Sequence, residues 1–291
     1  MTRAQAPYFG RHAVLATMHQ KQAALGPALH AALGLTLLTS GDIDTDQLGT
    51  FAGEIPRRGS MREVAIAKAR LGMQSTGLPL GLASEGSFGP HPYIPFMAGG
   101  VELLTFVDDE RGFVLHQTWV VGETNYGHSV VSPGDALDDF LNRARFPSHG
   151  LIVRPNSPAD AGLMPLALVK GIVDHDALVQ AIEAAARHSS DAKARIETDM
   201  RAHLNPTRMR SLAEVAEQLG LRLASPCPAC ACPGWGQIDV LSGLPCDACG
   251  MPTERVLQEV FGCLQCAHRE IRARSDGLKH TGPEHCPYCN P

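Results

Sequence analysis

All nine cysteines of the chain lie in Cys227–Cys289, which reads CPACACPGWGQIDVLSGLPCDACGMPTERVLQEVFGCLQCAHREIRARSDGLKHTGPEHCPYC. Eight of them form four pairs with C-x2-C spacing: Cys227/Cys230, Cys246/Cys249, Cys263/Cys266 and Cys286/Cys289. This spacing places two thiols on one tight turn, here called a knuckle, where they can share a metal ion. Because four thiolates at roughly 2.3 Å satisfy tetrahedral zinc, the sequence predicts two closed, structural four-cysteine zinc sites.

A disulfide framework is the alternative interpretation of the same cysteines, and it requires an oxidising compartment. Residues 1–26 lack the charged start, apolar run and small-residue cleavage site of a secretory signal, so we expect a cytoplasmic protein with zinc sites. Gly250, directly after the second knuckle, is expected to adopt a positive φ.

The pairing of the knuckles is open from the sequence. Sequential pairing joins the first two knuckles across 15 residues and the last two across 19, whereas crossed pairing joins the first with the third and the second with the fourth. We favour sequential pairing, with Val256–Phe261 and His268–Arg274 as short strands beside the third knuckle. Cys232 is expected to be a buried thiol outside both sites, and His280 and His285 are alternative ligands that four thiols make unnecessary.

Length and charge narrow the classes of function. A chain of 291 residues is long enough for one sizeable core and a smaller unit, and no apolar run approaches the roughly 18–20 residues that span a bilayer. The net charge is −5, and from Cys227 onward five Lys and Arg face seven Asp and Glu. Because phosphate neutralisation requires an excess of cations, this balance disfavours nucleic acid as the partner.

The region before the cysteines alternates between strand and helix patterns. This predicts an α/β domain over residues 1–173 with a mixed sheet flanked by helices, a helical connector over 174–224 that packs on it, and a zinc-ribbon module over 225–291. The predicted strands are His12–Thr17, Leu35–Thr39, Leu78–Ala83, Val101–Val107, Phe113–Val121 and Gly150–Val153, and an acidic loop spans Asp42–Asp46. The predicted helices are Gln20–Leu33, Ser60–Thr76, Asp135–Arg145, Asp174–His188, Asp191–Leu204 and one from Ser211 to Gly220.

Polar residues follow two of the predicted strands, at the edge where α/β sheets bind ligands. Thr17–Lys21 lies between the first strand and its helix, where backbone N–H groups and the lysine favour an anion. Glu85 is expected at the end of the third strand, and Glu63 in the first turn of the second helix. Paired carboxylates opposite an anion-binding turn suit magnesium-assisted attack on a phosphoanhydride. The alternatives are that Glu63 only completes a capping box with Ser60, and that Lys21 is solvated.

The same residues carry a resemblance to a known group. Ala16–Lys21, Glu63–Ala69 and Ser84–Ser87 resemble, in this order, the three N-terminal motifs of the inosine-triphosphate pyrophosphatase and Maf group of nucleotide pyrophosphohydrolases. The chain departs from that pattern at His19 and Ser84. The resemblance implies magnesium held by Glu63 and Glu85, phosphates bound by Lys21, and attack by water that releases pyrophosphate.

The rest of the chain resembles an uncharacterised bacterial domain family, through Thr198–Met209 and the paired knuckles that follow. Arg195, Asp199 and His203 would share one face of a helix. That face is either an ordinary charged surface or a second side of a ligand site, in which Arg208 binds a phosphate. The sequence therefore predicts a zinc-ribbon protein whose α/β domain is a magnesium-dependent nucleotide pyrophosphohydrolase. The alternative is a non-catalytic protein that binds a nucleotide, another phosphate-bearing small molecule, RNA or a protein partner.

Overall fold

The structure is a computed structural model that describes residues 6–17, 20–40, 59–91, 94, 96–158 and 167–291. His19 and the acidic loop Asp42–Asp46 lie outside these residues. The strands are β1 (His12–Leu15), β2 (Thr36–Thr39), β3 (Leu80–Pro90), β4 (Ala98–Asp108), β5 (Phe113–Val121), β6 (His128–Val131), β7 (Leu151–Pro155), β8 (Val169–Ile172), β9 (Ala194–Thr198), β10 (Gly236–Ser242), β11 (Val256–Gly262) and β12 (Arg269–Ala273). The helices are α1 (Gln22–Leu33), α2 (Met61–Thr76), α3 (Asp138–Ala144), α4 (His175–Arg187) and α5 (Pro206–Leu223).

The first sheet has five strands in the order β2-β1-β3-β4-β5. β1 pairs in parallel with both β2 and β3, and β3, β4 and β5 form an antiparallel meander. Since alternate residues of a strand face opposite sides, Ala13 and Leu15 pack in the core under α1 and α5, whereas Val14 packs under α2. The chain leaves β1 toward β2 and returns to the other side of β1 as β3, so the strand order reverses at β1.

The second sheet has four antiparallel strands in the order β6-β9-β7-β8. Helices α3 and α4 bury their apolar sides against it, including Phe140, Leu178 and Ile182. Helix α5 then returns to the first sheet and packs against α1, where Gly220 allows a close approach because an added Cβ would lie 2.9 Å from the Cβ of Ala32.

The cysteine region forms a three-stranded antiparallel sheet, β10-β11-β12. Its strands are short and largely exposed, as expected for a module that relies on metal ligands more than on a hydrophobic core. The architecture is therefore mixed α/β with two sheets carrying helices and a ribbon at the C-terminal end. Within the described ranges, no helix combines the length and hydropathy that crossing a bilayer requires.

Most of the predicted elements are confirmed. The Ser60–Thr76 helix forms with the Ser60/Glu63 capping box, Asp174 caps α4 through the N–H of Ala177 at 2.9 Å, and the β4–β5 hairpin pairs over its whole length. The strands beside the third knuckle are β11 and β12, and Gly250 has a φ of +73°.

One predicted helix and two predicted boundaries are wrong. The helix expected over Asp191–Leu204 is β9 followed by a short 3-10 turn, because pairing with β6 and β7 overrides a weak helical pattern. Helix α5 begins at Pro206, not at Ser211, since Asn205 caps it and proline is favoured in the first turn. β3 continues to Pro90 because β4 supplies an antiparallel partner through the Gly-Ser segment after Ala83.

Candidate metal centres and candidate ligand site

The eight paired cysteines gather into two groups whose sulfurs lie within 4.8 Å of one another. Group 1 is Cys227, Cys230, Cys263 and Cys266, and group 2 is Cys246, Cys249, Cys286 and Cys289. The favoured sequential pairing is therefore wrong, and the crossed alternative is confirmed. The antiparallel sheet explains this result: the first and third knuckles lie at one end of β10, β11 and β12, and the second and fourth at the other.

The sulfur separations match a shared metal ion and exclude disulfides. Sulfurs of paired knuckles lie 3.6 and 3.8 Å apart in group 1 and 3.6 and 4.0 Å apart in group 2. A disulfide would require about 2.05 Å. Four sulfurs placed tetrahedrally at about 2.3 Å from zinc would be separated by roughly 3.8 Å. Both groups could therefore hold a zinc ion through four thiolates, without an open position for a substrate.

The first two knuckles are built alike. Single β-bridges join Pro226 to Pro233 and Pro245 to Pro252, and the N–H groups of Cys227 and Cys246 donate to the carbonyls of Cys232 and Met251. Cys232 thus occupies the position that Met251 holds in the second knuckle. Its side chain is buried and belongs to neither metal group, as predicted.

Backbone N–H groups point at the sulfurs, which is how a knuckle favours thiolates. In the third knuckle, the N–H groups of Gln265 and Cys266 lie 3.3 and 3.4 Å from the Cys263 sulfur. In the fourth, desolvation raises the pKa of Cys286, but the N–H groups of Cys289 and Tyr288 outweigh it and bring the pKa to about 7. Hydrogen bonding to Cys249 raises the pKa of Cys289 to about 12. Four thiolates at this spacing need a cation between them.

A second cluster lies at the C-terminal end of β1, where the strand order reverses. The Lys21 ammonium donates to the Ser84 hydroxyl at 2.9 Å and to the Ser84 carbonyl at 3.3 Å, which ties the start of α1 to β3. Burial lowers the pKa of Lys21 to about 8, with a further lowering from the charge of Arg208, against the opposing effects of Glu102 and Glu85. Lys21 is thus buried, and the alternative of a solvated lysine is wrong.

Two buried ion pairs, one on each face of the first sheet, complete this cluster. Lys68 of α2 forms an ion pair with Glu85 Oε1 at 2.6 Å, and Glu102 of β4 accepts from Arg208 of α5 at 2.6 and 3.3 Å. All four residues are at most 8% exposed. Gly86, opposite Glu102 on β3, makes room for the second pair, because a Cβ there would lie 2.5 Å from the Arg208 guanidinium. We call Lys21, Lys68, Glu85, Glu102 and Arg208 the buried charge cluster.

Three of the five predicted ligand-site residues belong to the buried charge cluster, and the other two, Thr17 and Glu63, lie outside it. Lys21, Glu85 and Arg208 belong to the cluster, and Thr17 is half-buried just after β1. Glu63 is exposed at the start of α2, where it accepts from the Ser60 N–H and hydroxyl, each at 2.8 Å. The backbone N–H of Ser60 lowers the Glu63 pKa.

This arrangement does not fit a magnesium ion held by Glu63 and Glu85. Magnesium binds carboxylates that have oxygens available for coordination. The Glu63 carboxylate serves the capping box, and the Glu85 carboxylate contacts the Lys68 ammonium. A metal at this position would have to compete with both interactions.

Sequence reasoning missed Lys68 and Glu102. Glu102 is a single carboxylate in the apolar strand Val101–Val107, and an isolated charge in such a pattern marks a residue with a buried partner. Lys68 lies on the stripe of α2 that faces the sheet, which is an unusual position for a lysine.

Comparison with curated proteins finds no match. A family model described as a domain of unknown function, DUF6671, matches residues 68–291, which include both cysteine groups and four of the five residues of the buried charge cluster. Because that match covers most of the chain, this protein belongs to the DUF6671 family.

Proposed function

We propose that each cysteine group holds one structural zinc ion, and that the buried charge cluster binds a phosphate-bearing small molecule such as a nucleotide. The ligand proposal rests on one observation: beyond the C-terminal end of β1, buried Lys21 is coupled electrostatically to two buried ion pairs, Lys68–Glu85 on the α2 side of the first sheet and Arg208–Glu102 on the α5 side. Ligands of α/β sheets bind at this edge, where the strand order reverses.

The charges in the cluster favour an anion. Lys21, Lys68 and Arg208 contribute three positive charges against two negative charges from Glu85 and Glu102. Burying an ion costs several kcal/mol, so a cluster of this size is retained either for a ligand or for a specific packing arrangement. The positive excess and the lowered pKa of Lys21 favour the ligand, since a bound phosphate would stabilise the protonated lysine.

Binding is tested by thermal unfolding and calorimetry with ATP, GTP, the deoxynucleotides and pyrophosphate, without metal and with magnesium. Wild-type protein is expected to be stabilised by at least one of these ligands, and Lys21→Gln should abolish that shift. Lys193→Gln, which removes an exposed lysine beside β9, is the matched control and should retain it. Equal ligand shifts in Lys21→Gln and wild type would refute the binding site.

The zinc proposal is tested by elemental analysis of protein purified without added metal. Two zinc ions per chain are expected, and one in each of the variants Cys230→Ser and Cys249→Ser. A metal-free protein with intact ribbon strands would contradict it.

Hydrolysis of the bound phosphoanhydride is the second candidate, favoured by the presence of a carboxylate, Glu85, within a basic cluster. Pyrophosphate release from the same nucleotides would be measured with Glu85→Gln as the test variant. Turnover that is lost in Glu85→Gln supports a hydrolase. Nucleotide binding without turnover in wild type would leave the binding function and remove the hydrolase.

A further inference from the structure

A cavity of about 320 Å³ lies at the start of α5, and the residues that line it belong neither to the buried charge cluster nor to the cysteine groups. Its walls include Trp119 from β5, Glu123 from the segment after β5, and Thr207, Arg210, Ser211 and Glu214 from α5. We call it the α5 cavity. Its volume is at the lower end of the range for small-molecule sites.

Two arginines converge on one carboxylate at this cavity. Arg145, just after α3, donates to Glu123 Oε1 at 2.5 Å, and Arg210 lies 3.6 Å from the same oxygen. The Glu123 side chain is 64% exposed, so it is held by these charges and not by packing. The hydrogen bond from Arg145, and then the charges of Arg145 and Arg210, lower the Glu123 pKa.

Hydrogen bonds through buried Thr207 and His149 orient the guanidinium groups of Arg145 and Arg210. Thr207 Oγ1 accepts from Arg145 at 2.9 Å and from Arg210 at 3.4 Å, so its own proton is directed to His149 Nε2 at 2.9 Å. The Thr207 N–H also donates to Nε2, which places the ring proton on Nδ1, toward the Ser148 hydroxyl. Burial, and then the charge of Arg145, lower the His149 pKa.

The Ser211 hydroxyl is a donor that the fold does not use. Ser211 is 5% exposed and lines the α5 cavity, and its hydroxyl has no hydrogen-bond partner among the described residues. The hydroxyl is therefore available to donate to a ligand in the cavity.

We propose that the α5 cavity binds the phosphate of a small phosphomonoester, with Glu123 as an intramolecular substitute that the phosphate displaces. Arg145, Arg210 and Ser211 would donate to the phosphate, and Thr207 and His149 are positioning residues. A carboxylate has only two oxygens, whereas a phosphate has enough acceptors for both guanidiniums and the serine hydroxyl together. The remaining volume beside Trp119 accommodates a small organic group.

The test uses the full-length zinc-bound protein with inorganic phosphate and glycerol 3-phosphate as probes, at constant ionic strength. Calorimetry gives the affinity, and quenching of Trp119, one of two tryptophans, gives the location. Glu123→Gln should bind both probes about tenfold more tightly, because it removes a like charge near the phosphate. Arg210→Gln should weaken binding at least tenfold, and Thr207→Val should weaken it less, since both guanidiniums remain.

Two control variants separate this site from others. Arg187→Gln removes an exposed arginine of α4 and should bind the probes as wild type does. Lys21→Gln, in the buried charge cluster, should also leave the quenching unchanged. Three results would each overturn the proposal: acetate binding as tightly as phosphate to Glu123→Gln, equal effects of Arg210→Gln and Arg187→Gln, or loss of the quenching in Lys21→Gln.

Discussion

The two cysteine groups have the same ligands and the same knuckles, but their surroundings differ. Group 1 packs with Cys232, Trp235 and Leu264 against the core formed by α1, α5 and the first sheet. The buried cysteines of group 2, Cys246 and Cys286, lie outside the hydrophobic clusters of the described residues, and Tyr288 beside them is 66% exposed. Two cysteine groups of the same composition can therefore differ in their role, depending on what packs against them.

The contacts of group 1 with the core are specific. α5 leads directly into the first knuckle, where the N–H groups of Gly234 and Trp235 both donate to the Ser225 carbonyl. Gly234 adopts a φ of +93°, and a Cβ there would lie 2.7 Å from Leu264 and 3.6 Å from Leu115 of β5. Group 1 thus fastens the ribbon to the α/β core, whereas group 2 closes only the far end of the ribbon.

The largest expected difference is between the variants Cys230→Ser and Cys249→Ser. Each removes the second, exposed cysteine of an equivalent knuckle, so the two changes are matched. Because metal binding contributes about 10 kcal/mol or more to the folding of small zinc modules, losing group 1 should lower the unfolding temperature of the whole protein by many degrees. Losing group 2 should leave that main transition in place.

Thermal unfolding by calorimetry, together with hydrogen exchange over 225–291, separates these outcomes. In Cys249→Ser, rapid exchange should be confined to the residues around the second and fourth knuckles. Equal losses of core stability in both variants would show that the two groups are not different in this respect.

The next largest effect is expected for Trp235→Ala. Trp235 is 7% exposed and stacks on His268 with ring centroids 5.2 Å apart, between group 1 and the core. Its removal should destabilise the protein by about 3–5 kcal/mol in denaturant unfolding, through the cavity that it leaves. Tyr288→Ala, beside group 2, should cost less than about 0.5 kcal/mol because the ring is exposed. A small effect of Trp235→Ala would mean that group 1 is not coupled to the core by packing.

The two groups' eight cysteines could be picked out from the sequence because paired thiols at this spacing have few other uses in proteins. Their pairing could not, since it depends on which end of an antiparallel sheet each knuckle occupies. The buried charge cluster was predicted only in part. Lys21 follows from its position after β1, and Glu85 from an expected strand end that the structure moves to Pro90. The partner of Glu102 is Arg208, 106 residues later, and no local pattern connects them.

Raising the pH changes the stability of the α/β core through Lys21, which belongs to neither cysteine group. The Lys21 pKa is lowered from 10.5 to about 8 by burial, so the unfolded chain binds more protons than the folded one between these values. The burial of Lys21 therefore lowers the free energy of unfolding. This penalty is fully present below about pH 8 and disappears as the pH approaches 10.5. Wild type should therefore gain roughly 2 kcal/mol relative to Lys21→Met between pH 7.5 and 9.5.

Denaturant unfolding of both proteins at several pH values gives this difference. The pH-dependent difference should appear entirely in the main unfolding transition. Hydrogen exchange near group 2 should be the same in wild type and in Lys21→Met. A difference between the two proteins that does not change with pH would contradict the buried, pKa-shifted state of Lys21.

The smallest expected effect concerns the hydrogen bond between the third knuckle and the α/β domain. Gln265 donates to the Arg111 carbonyl at 3.0 Å, next to the β4–β5 turn, and its side chain is exposed. Gln265→Ala should cost at most about 1 kcal/mol, because water replaces an exposed hydrogen bond at little free-energy cost. If it cost as much as Trp235→Ala, polar contacts at the knuckle would govern the coupling of group 1 to the core. If it costs as little as expected, the coupling lies in the apolar contacts of Trp235 and Leu264, and the difference between the two metal groups is a difference in hydrophobic packing.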